Sequence, residues 1–506
     1  LSDAALDRLR RLGEPFMEDL ARAHWQAGAG HTSAIELRPI YERHKAVSGR
    51  DSLETALDAF RDAAEGSENA RSARTLLDWQ VESHASRQLA SLDEREIAWE
   101  HDAIVSLPDG RQIPYQRAAI EIANSTDRDE RLAIDAARAT LVERELAPLR
   151  KERFQREHDV VDALAVAPSY VDAIDVLGGV RLRALGARCE QFLRETQAMW
   201  DDALRDRLKR DLGIAPSDAT RSDSLALARA PHFDRFFPAG AMESTVRQQL
   251  GEMGLDPEAS GRVRYDTAER DGKRSRAFCA PVRVPSEVHL VMRPHGGVTD
   301  WMTLLHEVGH ALHFANMRTD LPFEFRWLGD NSITEGYAML FDHRLQDAGW
   351  LRRYTGMAGE NLGRFLRAAG FEELRFLRRY AAKLMYELDL HGGNVSWDDL
   401  PAAYADRLTS ATGFRYSSAD AFIDVDPRFY AARYLQAWQL QSILAETLVE
   451  RFDDDWWRNP RAGPWVSDNL LAEGQRELAG ELAFRVAGRE LSFEPLIRSV
   501  ERMLQS

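Results

Sequence analysis

Leu6, Leu9 and Leu12, then Leu53, Leu57 and Phe60, recur at spacings of three and four, the mark of amphipathic helices through roughly the first hundred residues. A longer helical pattern runs from about Asp127 to Leu164, and Pro148 within it predicts a bend or a boundary. Between these lies SLPDGRQIP, residues 106–114, whose PDG is a turn signal. The pattern changes between about 230 and 300. There APHFDRFFPAG reads as an irregular connection, and AFCAPVRVP (277–285) and EVHLVM (287–292) have strand composition before PHGG ends them. Pro281 and Pro285 lack the N–H that a central strand donates, so the first stretch belongs on a sheet edge or in a loop. After residue 300 the helical pattern returns almost to the end. With no fixed-period repeat and no low-complexity tract, the pattern predicts a mainly α protein with a small β element.

The helix that follows PHGG carries the chemistry. Asp300 is placed to cap it, and Trp301, Leu304, Leu305, Val308, Leu312 and Ala315 form one apolar stripe. At 100° per residue, His306, His310 and His313 share another side. Two histidines four apart present their rings one turn from each other, which suits a tetrahedral zinc ion, and Glu307 between them sits where a general base can take a proton from water.

A third ligand is sought downstream. In LGDNSITEGYAMLFDHRL (328–345), Ile333, Tyr337, Leu340, Phe341 and Leu345 form a core stripe, with Glu335, Met339 and Asp342 on the other face. Glu335 lies 25 residues after His310, enough for a loop and a return. Ser332-x-x-Glu335 also reads as a capping box. Asp320 and Glu324 sit in an irregular connection, and Asp330 and Asp342 compete with Glu335 as ligand. The reading taken is one Zn²⁺ per chain on His306, His310 and Glu335. His313 falls to a supporting or surface position, because a fourth protein ligand closes the coordination place that a catalytic zinc keeps for water.

Composition narrows the partners. The 506 residues carry 66 basic and 82 acidic side chains, a net charge of -16 that disfavours nucleic acid or an anionic membrane as main partner. Lys273, Arg274 and Arg276 form a basic patch too short to reverse this. No apolar run is long enough to span a membrane. Cys189 and Cys279, 90 positions apart, form neither a thiolate metal motif nor a disulfide framework, which fits a reducing cytoplasmic setting. The chain starts at Leu1, which leaves room for a removed leader.

HEVGHALH followed by a glutamate 25 positions on resembles the thimet oligopeptidase and oligoendopeptidase F family of zinc metallopeptidases. GKRSRAFCAP (272–281) is similar to the stretch before the metal helix in that family, and DPRFYAARYLQAW (426–438) to its tyrosine-bearing segment. The likeness covers roughly 270–440, with the N-terminal half matching only in character. It implies a two-lobed helical zincin with a deep central channel and a small β-sheet beside the metal helix. Residues 1–230 would form one wall and 231–506 the catalytic region.

On this resemblance His306, His310 and Glu335 hold zinc and Glu307 is the base. Tyr430 and Tyr434 take the positions of transition-state tyrosines. Two residues depart from the family pattern: Arg276 stands where many relatives have glycine, and Arg428 where a histidine is common. Arg428, Tyr430 or Tyr434 could each donate to the oxyanion. The activity implied is hydrolysis of short peptides, and the acidic surface is compatible with a monomer in the cytoplasm. Angiotensin-converting-enzyme-like peptidases and helical metallocarboxypeptidases, which act at peptide C-termini, share much of this architecture, and a catalytically decayed peptide-binding protein is the non-enzymatic alternative.

Overall fold

A computed structural model of the chain describes residues 2–229, 231–258 and 260–506; Ala230, at the boundary expected between the two regions, lies outside them. The protein is mainly helical. The first helix, Ser2–Gly28, buries Leu6 and Leu9, as its leucine spacing predicts. A helix of 35 residues, Glu68–Asp102, begins at Ser67, whose hydroxyl accepts from the Ala70 amide. The long pattern near Pro148 resolves into Arg128–Leu141, a π-helical turn Val142–Leu146, and Ala147–Asp162. Pro148 is the second residue of the last segment, directly after the π-helical turn that joins it to the segment before without a break in helical backbone.

Among the described residues the strands form two small sheets. β1 (Ile104–Ser106) and β2 (Gln112–Pro114) make a hairpin around PDG, with Gly110 at φ 89°. The second sheet has the order β3–β5–β4, from β3 (Val263–Asp266), β4 (Phe278–Arg283) and β5 (Glu287–Val291). β4 runs antiparallel to β5 with Cys279 opposite Leu290 and Pro281 opposite Val288, and it is an edge strand, where Pro281 is accommodated. β3 runs parallel to β5 and has no counterpart in the sequence reading: VRYD is short and half polar, too weak a period-two signal.

Both the first helix and the metal helix, Val298–Asn316, pack against β4. Leu290 and Val288 of the sheet join Leu304, Leu305, Val308 and Leu312 of the metal helix in one core, which also takes Ile333, Tyr337 and Leu340 from the helix Asn331–Asp342 and Leu440, Ile443 and Leu444 from the helix Tyr430–Phe452. The other large core joins N-terminal residues such as Leu76, Val171 and Leu185 to Leu374, Leu377 and Tyr386 of the long helix Gly359–Gly392. The result is a helical zincin-like fold with its small sheet beside the metal helix. No helix among the described residues is long and apolar enough to cross a membrane.

Candidate metal centre

The metal helix starts earlier than its sequence suggests. Gly297, at φ 89°, precedes the first helical residue Val298, and Asp300 lies inside the first turn with its carboxylate accepting the amides of His295 and Gly296 at 2.8 and 2.9 Å. Asp300 therefore ties the PHGG turn to the helix rather than capping it at the residue expected. About two and three turns further on, His306 and His310 stand with ring centroids 4.8 Å apart and planes nearly perpendicular.

Glu335 comes from the neighbouring helix Asn331–Asp342, which crosses the metal helix at close range. A Cβ added at Gly309 would lie 2.5 Å from Cα of Ala338 and 2.7 Å from the Tyr337 carbonyl, so only glycine lets the two backbones approach this far. That approach brings Glu335 Oε2 to 3.3 Å from His306 Nε2 and 4.0 Å from His310 Nε2. Bonds of ~2.0–2.1 Å to one tetrahedral zinc place donors about 3.3 Å apart. The three donor atoms all lie within 4.8 Å of one another, so the cluster fits a single Zn²⁺. Glu335 Oε2 is buried with no hydrogen-bond partner, as a donor aimed at an ion must be.

The other atom of each ligand is already committed. His306 Nδ1 is 2.8 Å from Asp342 Oδ2, His310 Nδ1 is 2.9 Å from Thr334 Oγ1, and Glu335 Oε1 accepts from the Tyr430 hydroxyl at 2.8 Å. These partners fix ring orientation and leave each Nε2 facing the cluster. Asp342 is thus a support for His306 and not a rival ligand. Asp330 caps its helix at the Ser332 amide and pairs with Arg433, which also removes the expected Ser332–Glu335 capping box. Glu324 is buried against Arg10.

Electrostatics separate the ligands. Burial depresses the His306 imidazole, but its bond to Asp342 and the negative charge of Glu335 nearby outweigh that and raise it to about 10; His310, dominated by burial, falls to about 4. Burial pushes Glu335 up, yet His306, His310 and Tyr430 hold it below the usual carboxylate range.

Glu307 is half-buried beside the cluster, with Oε2 accepting the Cys279 amide of β4 at 2.8 Å. Burial raises its pKa against the opposing pull of His306 and that amide. A carboxylate displaced upward in this way is better matched to taking and returning a proton near neutrality.

His313 is fully buried, stacked on Phe314 and edge-on to Tyr337, and burial pushes it down to about 3. It is a neutral core ring, which corrects its expected surface or supporting position. Tyr434 lies with its ring 5.3 Å from that of Tyr430, and the two hydroxyls are raised above the usual phenol range first by burial and then by the charge of Glu335. Arg428 is turned to Asp78 of the helix Glu68–Asp102, and both it and Phe429 sit in the left-handed region, at φ 52° and 58°. This pair of positive-φ residues starts the helix that delivers Tyr430. Thr334 and the orienting role of Asp342 were missed in the sequence, although Asp342 follows Glu335 by seven residues, two turns along the same helix face.

No family profile and no curated protein matches the sequence. Solved structures match its fold from end to end. Pyrococcus furiosus carboxypeptidase superposes with a TM-score of 0.63 at 14 % identity, over 99 % of this chain and 98 % of that one. Trypanosoma cruzi metallocarboxypeptidase 1 gives 0.59 at 14 %, over 99 % and 100 %, and the M32 carboxypeptidase of Deinococcus radiodurans R1 gives 0.59 at 14 %, over 100 % and 99 %. At this identity the likeness establishes the fold. It also corrects the expected membership in the thimet oligopeptidase and oligoendopeptidase F family: the architecture matched over the whole length is that of carboxypeptidases. HExxH with a downstream glutamate specifies ligand geometry, which several helical peptidase families share, and so could not separate them.

Proposed function

We propose that the protein is a zinc metallopeptidase that removes residues from the C-termini of peptides. The observation that carries this reading is the convergence of His306, His310 and Glu335 beside Glu307, on a fold shared end to end with carboxypeptidases. A zinc ion held by the three ligands supplies Lewis acidity toward a carbonyl oxygen and a water molecule.

Glu307 takes a proton from the attacking water and returns it to the leaving amine, held in line by the Cys279 amide. Tyr434 supplies the hydroxyl donor to a developing oxyanion, because Tyr430 gives its one hydroxyl hydrogen to Glu335 and Arg428 is committed to Asp78. β4 pairs with β5 alone in its sheet, and its outer edge offers main-chain groups to an extended peptide, which favours broad sequence tolerance.

The test is a time course of peptide digestion followed by mass spectrometry, with matched peptides carrying a free or an amidated C-terminus. Stepwise loss from the free C-terminus, abolished by a chelator and restored by zinc, is expected. First products cut internally, at equal rates for both peptides, would overturn the carboxypeptidase assignment.

A further inference from the structure

Beyond Asp342 the support of His306 continues through two residues that the proposed reaction does not use. Asp342 Oδ1 is 2.5 Å from His343 Nδ1, and His343 Nε2 is 3.0 Å from Glu373 Oε1. The second oxygen of Glu373 accepts from Gln346 Nε2 at 3.0 Å. Each nitrogen of the His343 ring thus faces a carboxylate oxygen. Carboxylates only accept, so both nitrogens carry hydrogen and the ring is an imidazolium. With His306 neutral as a zinc ligand, the order outward from it is a carboxylate, an imidazolium and a second carboxylate.

The chain of bonds spans three elements. Asp342 ends the helix that carries Glu335, His343 and Gln346 form the following turn, and Glu373 projects from the long helix Gly359–Gly392. The side chains of Asp342, His343 and Glu373 are only 12, 11 and 10 % exposed. Asp342 uses one oxygen for His343 and the other for His306. Without the first bond its carboxylate can rotate about the Cα–Cβ and Cβ–Cγ bonds, and the His306 ring loses the fixed acceptor that turns Nε2 toward Glu335.

We propose that His343 and Glu373 are positioning residues for the metal centre: pinned from the long helix, the His343 imidazolium locks Asp342 onto His306 Nδ1 and so sets the direction and strength of the His306 ligand. The inference rests on the metallopeptidase reading only in taking His306 as a zinc ligand. Unlike the ligands themselves, these residues act at one and two removes, through Asp342.

The test uses the full chain and the variants His343→Asn and Glu373→Gln, with three readouts: zinc Kd by competition with a chromogenic chelator, the visible spectrum of the cobalt(II)-substituted protein, and thermal unfolding of the metal-free protein. Both variants are expected to bind zinc about tenfold more weakly, the lower end for supporting partners of metal-bound histidine, and to shift the cobalt bands. A zinc Kd within about twofold of wild type with an unchanged cobalt spectrum overturns the inference, whether or not thermal stability falls, because a purely structural role moves stability alone. Should His343→Asn fail to fold, Glu373→Gln decides by the same two readouts. A wild-type chain that takes up no zinc overturns the metallopeptidase reading as well, whereas normal zinc uptake beside unaltered variants overturns this inference alone.

Discussion

The hydroxyl of Tyr430 and Oε1 of Glu335 lie 2.8 Å apart, so a tyrosine expected at the oxyanion also holds the carboxylate that completes the metal site. Tyr434, whose ring is 5.3 Å from that of Tyr430, has no such bond to a ligand. The two are therefore separable by measurement. Tyr430→Phe should weaken zinc binding by about tenfold and lower kcat, because it frees a ligand oxygen. Tyr434→Phe should keep zinc affinity and lower kcat by about 10²-fold if its hydroxyl is the oxyanion donor. Zinc Kd and kcat determined on both variants check this. Loss of kcat without loss of zinc in Tyr430→Phe would transfer the oxyanion role to Tyr430.

Glu307 takes no part in the three-donor cluster, and its amide partner on β4 holds it beside that cluster. Glu307→Gln preserves size and can still accept from the Cys279 amide, but cannot take a proton. The variant should keep its fold and one zinc per chain while kcat/KM falls by about 10³-fold, within the usual range for removal of a general base. His306→Ala should lose the zinc as well. Metal content and peptide turnover on the two variants check the assignment, and turnover retained in Glu307→Gln would remove Glu307 from the reaction.

The sequence carried the ligands well because their information is local. His306 and His310 are fixed by helical spacing, and Glu335 by a second helix downstream. Pro281 marked β4 as an edge for the same kind of reason: a missing donor cannot sit in the middle of a sheet. What stayed hidden depends on contacts between distant segments. The Asp78–Arg428 pair joins residues 350 apart, and nothing near Arg428 in the chain announces that its guanidinium turns to the N-terminal half. Glu373 lies 30 positions from His343 on a helix whose apolar stripe dominates its pattern. His313 shows the converse. It shares the polar-looking side of HEVGHALH, yet Phe314 and Tyr337 cover it, and local pattern could not report a neighbour contributed by another helix.

Gly309 sets the distance between the two ligand-bearing helices, with Ala338 Cα 2.5 Å from where its Cβ would stand. Both close neighbours are backbone, and neither can swing aside. Gly309→Ala should force the helices apart and destabilise the fold by about 1–3 kcal/mol, as overpacking does, despite the better intrinsic helix propensity of alanine. Because Glu335 rides on the displaced helix, zinc content should fall further than global stability alone accounts for. Thermal unfolding together with metal analysis at saturating zinc checks both parts, and a variant as stable and as zinc-loaded as wild type would show that the crossing can relax at no cost.

Glu387 gives the fold a pH dependence of its own. Its side chain is buried in the helix Gly359–Gly392, with Oε1 accepting the Asp426 amide at 2.8 Å and Oε2 without a partner. Burial pushes the carboxyl up and the charges of Asp426 and Asp424 add to it, against Lys383 and the Asp426 amide, leaving it at about 8 from an ordinary 4.5. The folded protein keeps this proton up to about pH 8, whereas the unfolded chain releases it from about pH 4.5. Unfolding is therefore increasingly favoured between those values: the stabilisation is full below 4.5 and is lost as pH rises through 8. Glu387→Gln has no proton to release and can still accept from the Asp426 amide. Its thermal midpoint relative to wild type should rise by at least about 2 °C between pH 5 and pH 8, a shift that corresponds to roughly 2 kcal/mol for a chain of this size at about 2.1 cal/mol/K of unfolding entropy per residue. Paired thermal scans at the two pH values check it, and a difference that stays constant across the window would mean that Glu387 is ionised in the folded protein.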